Sequence, residues 1–140
     1  MRRRARTALV ALAFVVGCAS SALQTDPAPD EYRRPELRYF VENHGQDQRR
    51  LDQLIARELG RNGLTATSGF SADRPEHFDV LVVYEDRWQW DMSNYLIHMR
   101  IDLRNPTTNE LLAMGSSYQT SLARKEPEAV IVQILTGMFP

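Results

Sequence analysis

The chain has 140 residues, 43% of them hydrophobic and 25% charged, which is enough for one domain with its own core. Of its 17 basic residues four are Arg2, Arg3, Arg4 and Arg6; the rest of the chain carries 13 against 18 acidic residues, a charge near −5. That balance argues against a nucleic-acid binder, which would show a basic face, and the single cysteine, Cys18, excludes a scaffold stapled by internal disulfides.

The first stretch sets the compartment. Behind the four arginines lies an apolar core, residues 8–16, closed by Gly17 and Cys18. The run is far short of the ~20 residues a spanning helix needs, so it reads as an export signal. An ordinary signal peptide cut after Ala22 would release a free periplasmic protein. A twin-arginine signal fits less well, because apolar residues do not follow the arginines closely. The run stops directly at the Gly-Cys pair, which favours a third reading. Val15-Val16-Gly17-Cys18 resembles the lipobox of bacterial lipoproteins. The resemblance implies cleavage before Cys18, a diacylglycerol on its thiol and a further acyl chain, such as palmitate, on the new amino terminus. Each buried methylene contributes ~0.8 kcal/mol and one chain is marginal, so two or three chains hold a protein on a membrane persistently. Ala19, where an aspartate would signal inner-membrane retention, implies the outer membrane, with the protein facing the periplasm. The expected division is a signal peptide over 1–17, a lipidated amino terminus and flexible tether over 18–35, and a single α+β domain over 36–140.

The tether expectation rests on Pro27, Pro29 and Pro35 among polar residues with no apolar period. Such a segment reaches roughly 50–60 Å when extended, at ~3.3 Å per residue, and would let the domain stand off the membrane.

Leu37, Tyr39 and Val41 alternate with Arg38, Phe40 and Glu42, which predicts a first strand, placed at an edge. A helix follows with Leu51, Leu54, Ile55 and Leu59 on one face, Asp47 as its N-cap and Asn62-Gly63 as a left-handed stop. Residues 64–69 read as a short strand and 71–76 as a loop. The strongest strand is 79–90: Val80-Leu81-Val82-Val83 is apolar on both faces and belongs in the middle of a sheet. Residues 91–94 turn the chain into 95–104, where Tyr95, Ile97, Met99, Ile101 and Leu103 alternate inward. A hairpin with Trp90 opposite Tyr95 puts Trp88 against Ile97, Tyr84 against Ile101 and Glu85 against Arg100, and opposite charges across the ladder support that register. Asn105 to Asn109 turn again, with Asn109 in the left-handed position. A third strand over 111–120 returns with Leu112, Met114 and Tyr118 assigned inward. Pro127 opens a closing helix with the stripe Val130, Ile131, Ile134, Leu135 and Met138. These elements predict an α+β two-layer sandwich, a mostly antiparallel sheet of four to five strands with two helices on one face, preceded by signal peptide and tether.

The 79–84 strand, the Trp88-Gln89-Trp90-Asp91 patch, the 105–112 turn and the closing helix together resemble uncharacterised lipoproteins of Gram-negative bacteria. That resemblance implies an envelope lipoprotein with a small α+β domain and implies no activity, so it assigns no catalytic residue. The element order is also similar to that of the lipopolysaccharide-assembly lipoproteins, an analogy of fold alone.

No phosphate loop, paired-cysteine site, His-Glu-x-x-His or nucleophile elbow occurs. His44, His77 and His98 fall in separate elements, and no metal or cofactor is expected. Glu85 and Asp86 are adjacent on a strand and point to opposite faces, so they do not make the carboxylate pair a glycosidase needs at ~5–9.5 Å. Two surfaces remain. Trp88, Trp90, Tyr95 and Tyr118 gather at one end of the meander, either as packing under the closing helix or as a rim for a sugar, a lipid or a partner loop. Glu85, Arg87, His98, Arg100, Asp102 and Arg104 line the outer sheet face, either solvated or as the recognition face of an adaptor. The expectation is a non-catalytic, membrane-anchored binding or assembly module, paired with another envelope protein. The alternative is a glycan- or lipid-binding protein using the aromatic end.

Overall fold

In the computed structural model, which describes residues 22–140, the chain is α+β with a six-stranded mixed sheet and two helices. The strands are β1 (Ala22–Thr25), β2 (Arg38–Glu42), β3 (Thr65–Gly69), β4 (Val80–Asp91), β5 (Ser93–Arg104) and β6 (Leu111–Tyr118); the helices are α1 (Leu51–Arg61) and α2 (Pro127–Met138). The order across the sheet is β1-β6-β5-β4-β2-β3. Strands β4, β5, β6 and β1 are antiparallel, whereas β2 runs parallel to both β3 and β4. The two-layer architecture stands, but four to five mostly antiparallel strands become six in a mixed sheet.

Two misplacements account for the difference. β2 is not at an edge: α1 carries the chain over one face, so β3 returns parallel beside β2, and the 70–79 connection then brings β4 to its other side. That connection is fastened to the opposite face, with Arg74 donating to Glu42 and the Phe78 ring 5.7 Å from that of Phe40. The tether is the second case. Residues 22–35 pack on the domain. Ala22 to Thr25 pair with Tyr118 to Gly115, the Asp26 amide donates to the Met114 carbonyl, and Ala28 is buried with its amide on the Met138 carbonyl. β6 would otherwise be an unpaired edge over the core, and covering it satisfies its backbone groups.

Both helices lie on one face and share one core. α1 contributes Leu51, Ile55 and Leu59, α2 the predicted stripe Val130, Ile131, Ile134, Leu135 and Met138, and the sheet Tyr39, Val41, Val80, Val82, Tyr84, Met99, Ile101 and Leu103. Asp47 serves α1 from further out than an N-cap. The helix starts at Leu51 behind Arg50 at φ 56°, and the Asp47 carboxylate accepts from the Arg49 and Leu51 amides at 2.9 and 2.6 Å. Gly63, at φ 84°, stops it as expected, with the Leu64 amide donating to the Leu59 carbonyl.

Beyond Leu112, β6 faces the opposite way from the expectation. Ala113, Gly115 and Ser117 point inward and Met114 and Tyr118 outward, whereas Leu112, skipped by a bulge between the Leu103↔Ala113 and Arg104↔Leu111 pairs, packs against the core as expected. The cause is the close approach of α2: a Cβ on Gly115 would stand 2.5 Å from Ile134 Cγ2 and 2.9 Å from Met138 Sδ. Only the small-residue face fits there.

The hairpin register holds from Val82↔Leu103 through Tyr84↔Ile101 and Glu85↔Arg100 to Arg87↔His98, then shifts by one. A bulge at Ile97 pairs Trp88 with Leu96 and Trp90 with Asn94, so Leu96 takes the fully buried place given to Ile97. Asn109 turns at φ 62°, as predicted.

Candidate functional site

The charged strip forms on the sheet face that the helices leave open. Register places Glu85 opposite Arg100 and Arg87 opposite His98, with Asp102 and Arg104 following along β5. Asp102 is the hub. It is buried, and its carboxylate accepts from Arg100 Nε at 2.7 Å and Nη2 at 3.2 Å and from Arg104 Nη2 at 2.7 Å. The hydrogen bond to Asp102 and its charge raise the Arg100 pKa further, so its guanidinium is a fixed cation. Glu85 and Arg87 are exposed at the rim.

β4 outruns β2. Its pairing to β2 ends at Val82, and beyond that its edge is bare. Here the segment after β2 bends past it and leaves a recess of about 410 Å³, lined by His44, Gln46, Val83 to Asp86, Arg100, Asp102 and Arg104. Asp86 is engaged on both oxygens, by His44 Nε2 at 2.9 Å and by the Trp88 indole N–H at 2.7 Å. Behind it the Tyr84 hydroxyl donates to Asp47 Oδ2 at 2.6 Å. Burial, then the hydrogen bond and charge of Asp47, push the Tyr84 phenol far above its ordinary pKa. Burial works to raise the pKa of Asp52, yet the forked contact with Arg50 and the Asn43 amide hold it below the usual carboxylate value. These acids are committed to neighbours. Glu85 faces Arg100 while Asp86 faces His44, so the two do not converge on one point. Among the described residues no group of three or more His, Cys, Asp or Glu side chains could hold a metal ion.

The four aromatic residues are dispersed. Trp88 is partly buried against the core, with the Arg49 guanidinium 3.8 Å above its ring. Tyr95 is buried under Arg124, 4.3 Å from its ring centre. Trp90 is 68% exposed and Tyr118 48%. No two of these four rings pair among the described residues. The Ile97 bulge separates them, since it sets Trp90 across from Asn94 instead of Tyr95. Sequence reasoning missed His44, Asp47 and Asp86 as one network with Tyr84 and Trp88. Their separation of about 40 positions, as in His44 to Asp86, leaves no local signal. Cys18 lies outside the described residues.

No protein-family model and no curated sequence matches the chain. Among solved structures, the PelC dodecamer from Paraburkholderia phytofirmans shares its fold at a TM-score of 0.61 with 9% identity, covering 84% of this chain and 96% of that one. A leucine-to-methionine variant of the same dodecamer aligns at 0.62 with 10% identity and the same coverage.

Proposed function

We propose that this chain is a lipid-anchored lipoprotein of the cell envelope, held to the outer membrane through Cys18, and that it works as a non-catalytic binding and assembly module that associates with copies of itself. The carrying observation is the open sheet face. Arg100 and Arg104 are held around buried Asp102, with Glu85 and Arg87 placed beside them by the strand register, so the central charges are presented in one pattern without being ordered on contact. The lipobox resemblance supports the anchor, and the dodecameric state of a solved protein with this fold, seen also in its point variant, supports self-association. The acids that a hydrolase would need are engaged by His44, Trp88, Arg100 and Arg104.

Crosslinking in intact cells, followed by purification through a C-terminal tag, tests the reading. The expected product is a ladder of self-crosslinked chains that collapses to monomer when exposed Arg87 is reversed (Arg87→Glu), with the thermal midpoint unchanged. Monomer alone in the unaltered protein, with no co-purifying envelope protein, rejects it. Exposed Trp90 favours a second reading, a glycan- or lipid-binding protein. Its indole fluorescence would then shift and quench on titration with peptidoglycan fragments or lipid.

A further inference from the structure

We infer that the tip of the β4–β5 hairpin, together with the 119–126 loop strapped to it, inserts into the lipid surface beside the Cys18 anchor, as a second membrane contact. The inference rests on the lipoprotein reading above, and the occupant it commits to is the bilayer itself.

The first argument is direction. β1 is antiparallel to β6 and starts with Ala22 opposite Tyr118, itself opposite His98. β1 therefore runs away from the end of the sheet where β4 and β5 turn, and Ala22 is its end nearer to that turn. Only four peptide units separate Ala22 from Cys18, a reach of at most ~14 Å. The hairpin extends from the level of His98 to Met92, roughly 20 Å at ~3.3 Å per residue. An acylated Cys18 within that reach of Ala22 would hold the domain close to the membrane, with the end of the sheet that carries the tip nearest to it.

The second argument is what the tip displays. Trp90 is 68% exposed, Met92 91% and Leu122, in the neighbouring loop, 86%. The strands reverse around Met92 at φ 60°, a conformation that favours glycine or asparagine. A thioether side chain so exposed buries almost nothing within the domain. In a bilayer it would be buried: indoles settle at the headgroup level and apolar side chains just beneath.

The third is rigidity. Arg124 holds the two pieces as one, donating to the Asp91 carbonyl at 2.8 Å, Asp91 Oδ2 at 3.1 Å and Ser93 Oγ at 2.9 Å, while its Nε reaches the Ser121 carbonyl at 3.0 Å. The apolar side chains are thus carried on a fixed platform, so little ordering opposes their insertion.

The test uses the mature acylated chain, in which Cys18 is blocked, with Met92→Cys as the one free thiol and Thr107→Cys, at the opposite end of the sheet, as control. Each is labelled with an environment-sensitive fluorophore and reconstituted on phosphatidylethanolamine–phosphatidylglycerol vesicles carrying shallow nitroxide lipids. Interfacial segments sit ~5–10 Å deep, so the label at 92 should shift to the blue and lose emission to the nitroxide, while the label at 107 does neither. Acylated protein that floats with vesicles but leaves the label at 92 as wet as that at 107 overturns the inference and spares the anchor. A label at 92 that is dry yet unquenched, and crosslinks to another copy, assigns the tip to a subunit contact and also overturns it. An intact mass without acyl chains, from protein that does not float, overturns both the inference and the anchored reading.

Discussion

Gly115 shows how a single side chain decides a face. Its missing Cβ is the space into which Ile134 and Met138 descend. Gly115→Val forces the helix away from the sheet and is expected to cost about 1–3 kcal/mol. For a domain near 100 residues that lowers the thermal midpoint by about 4–8 °C for each kcal/mol, read by circular dichroism or calorimetry. Tyr39 is a second case. Its hydroxyl donates to the Tyr32 carbonyl beneath the Phe139 ring, and burial, with Asp79 adding to it, pushes its pKa from 10.0 up to about 12. Below pH 10 both folded and unfolded chains keep the phenolic proton. As the pH rises past 10 the unfolded chain gives it up first, so stability falls until the folded value near 12 is passed. A pH series of melting curves should show that decline. Tyr39→Phe should flatten it without abolishing it, since the Tyr84 phenol is shifted in the same direction.

At the scale of elements, β1 departs furthest from expectation. Four residues with an exposed-to-intermediate pattern carry no inward period, yet they pair along β6 and seat Thr25 against Gly137, whose added Cβ would stand 2.6 Å from Thr25 Oγ1. Hydrogen exchange separates a strand from a tether. The amides of Asp26 and Ala28, bonded to the carbonyls of Met114 and Met138, should be protected to nearly the level of β6. Exchange at the rate of a free coil would show that the segment is not docked. The hairpin was more legible. Glu85–Arg100 and Tyr84–Ile101 follow from alternation and charge, and the forecast holds until the extra residue at Ile97, where nothing in a run of apolar side chains marks which one is skipped.

For the whole molecule, the docking of β1 changes how far an anchor at Cys18, as proposed, would let the domain stand from a membrane. A tether of ~50–60 Å would free the open face in every direction. On the proposed anchor, four peptide units would restrict the domain to a few orientations, with the hairpin tip towards the anchor and the charged ladder running away from it. In that posture neighbouring copies on one membrane would meet side by side, as the proposed self-association through the sheet face requires. The crosslinking experiment with Arg87→Glu and the vesicle experiment at Met92 therefore probe two ends of one arrangement, one lateral and one towards the lipid.

What the sequence determined by itself was local and periodic. The alternation in β4 and β5, the α2 stripe, the Gly63 and Asn109 turns and the charge pairs of the hairpin are written in side chains two to four positions apart, where one strand or helix decides which face each residue takes. The expectation of an export signal and the lipobox resemblance are likewise read from contiguous residues, which lie outside the described ones. Tertiary structure decided the rest. Which face of β6 turns inward depended on how near α2 could come, β2 became an interior strand because β3 paired outside it, and residues 22–28 became structure because β6 had an edge to cover. His44, Tyr84, Asp86 and Trp88 became one network only when β4 ran past the end of β2. Each of these outcomes depends on contact between segments far apart in the chain, and such contacts leave no period to read.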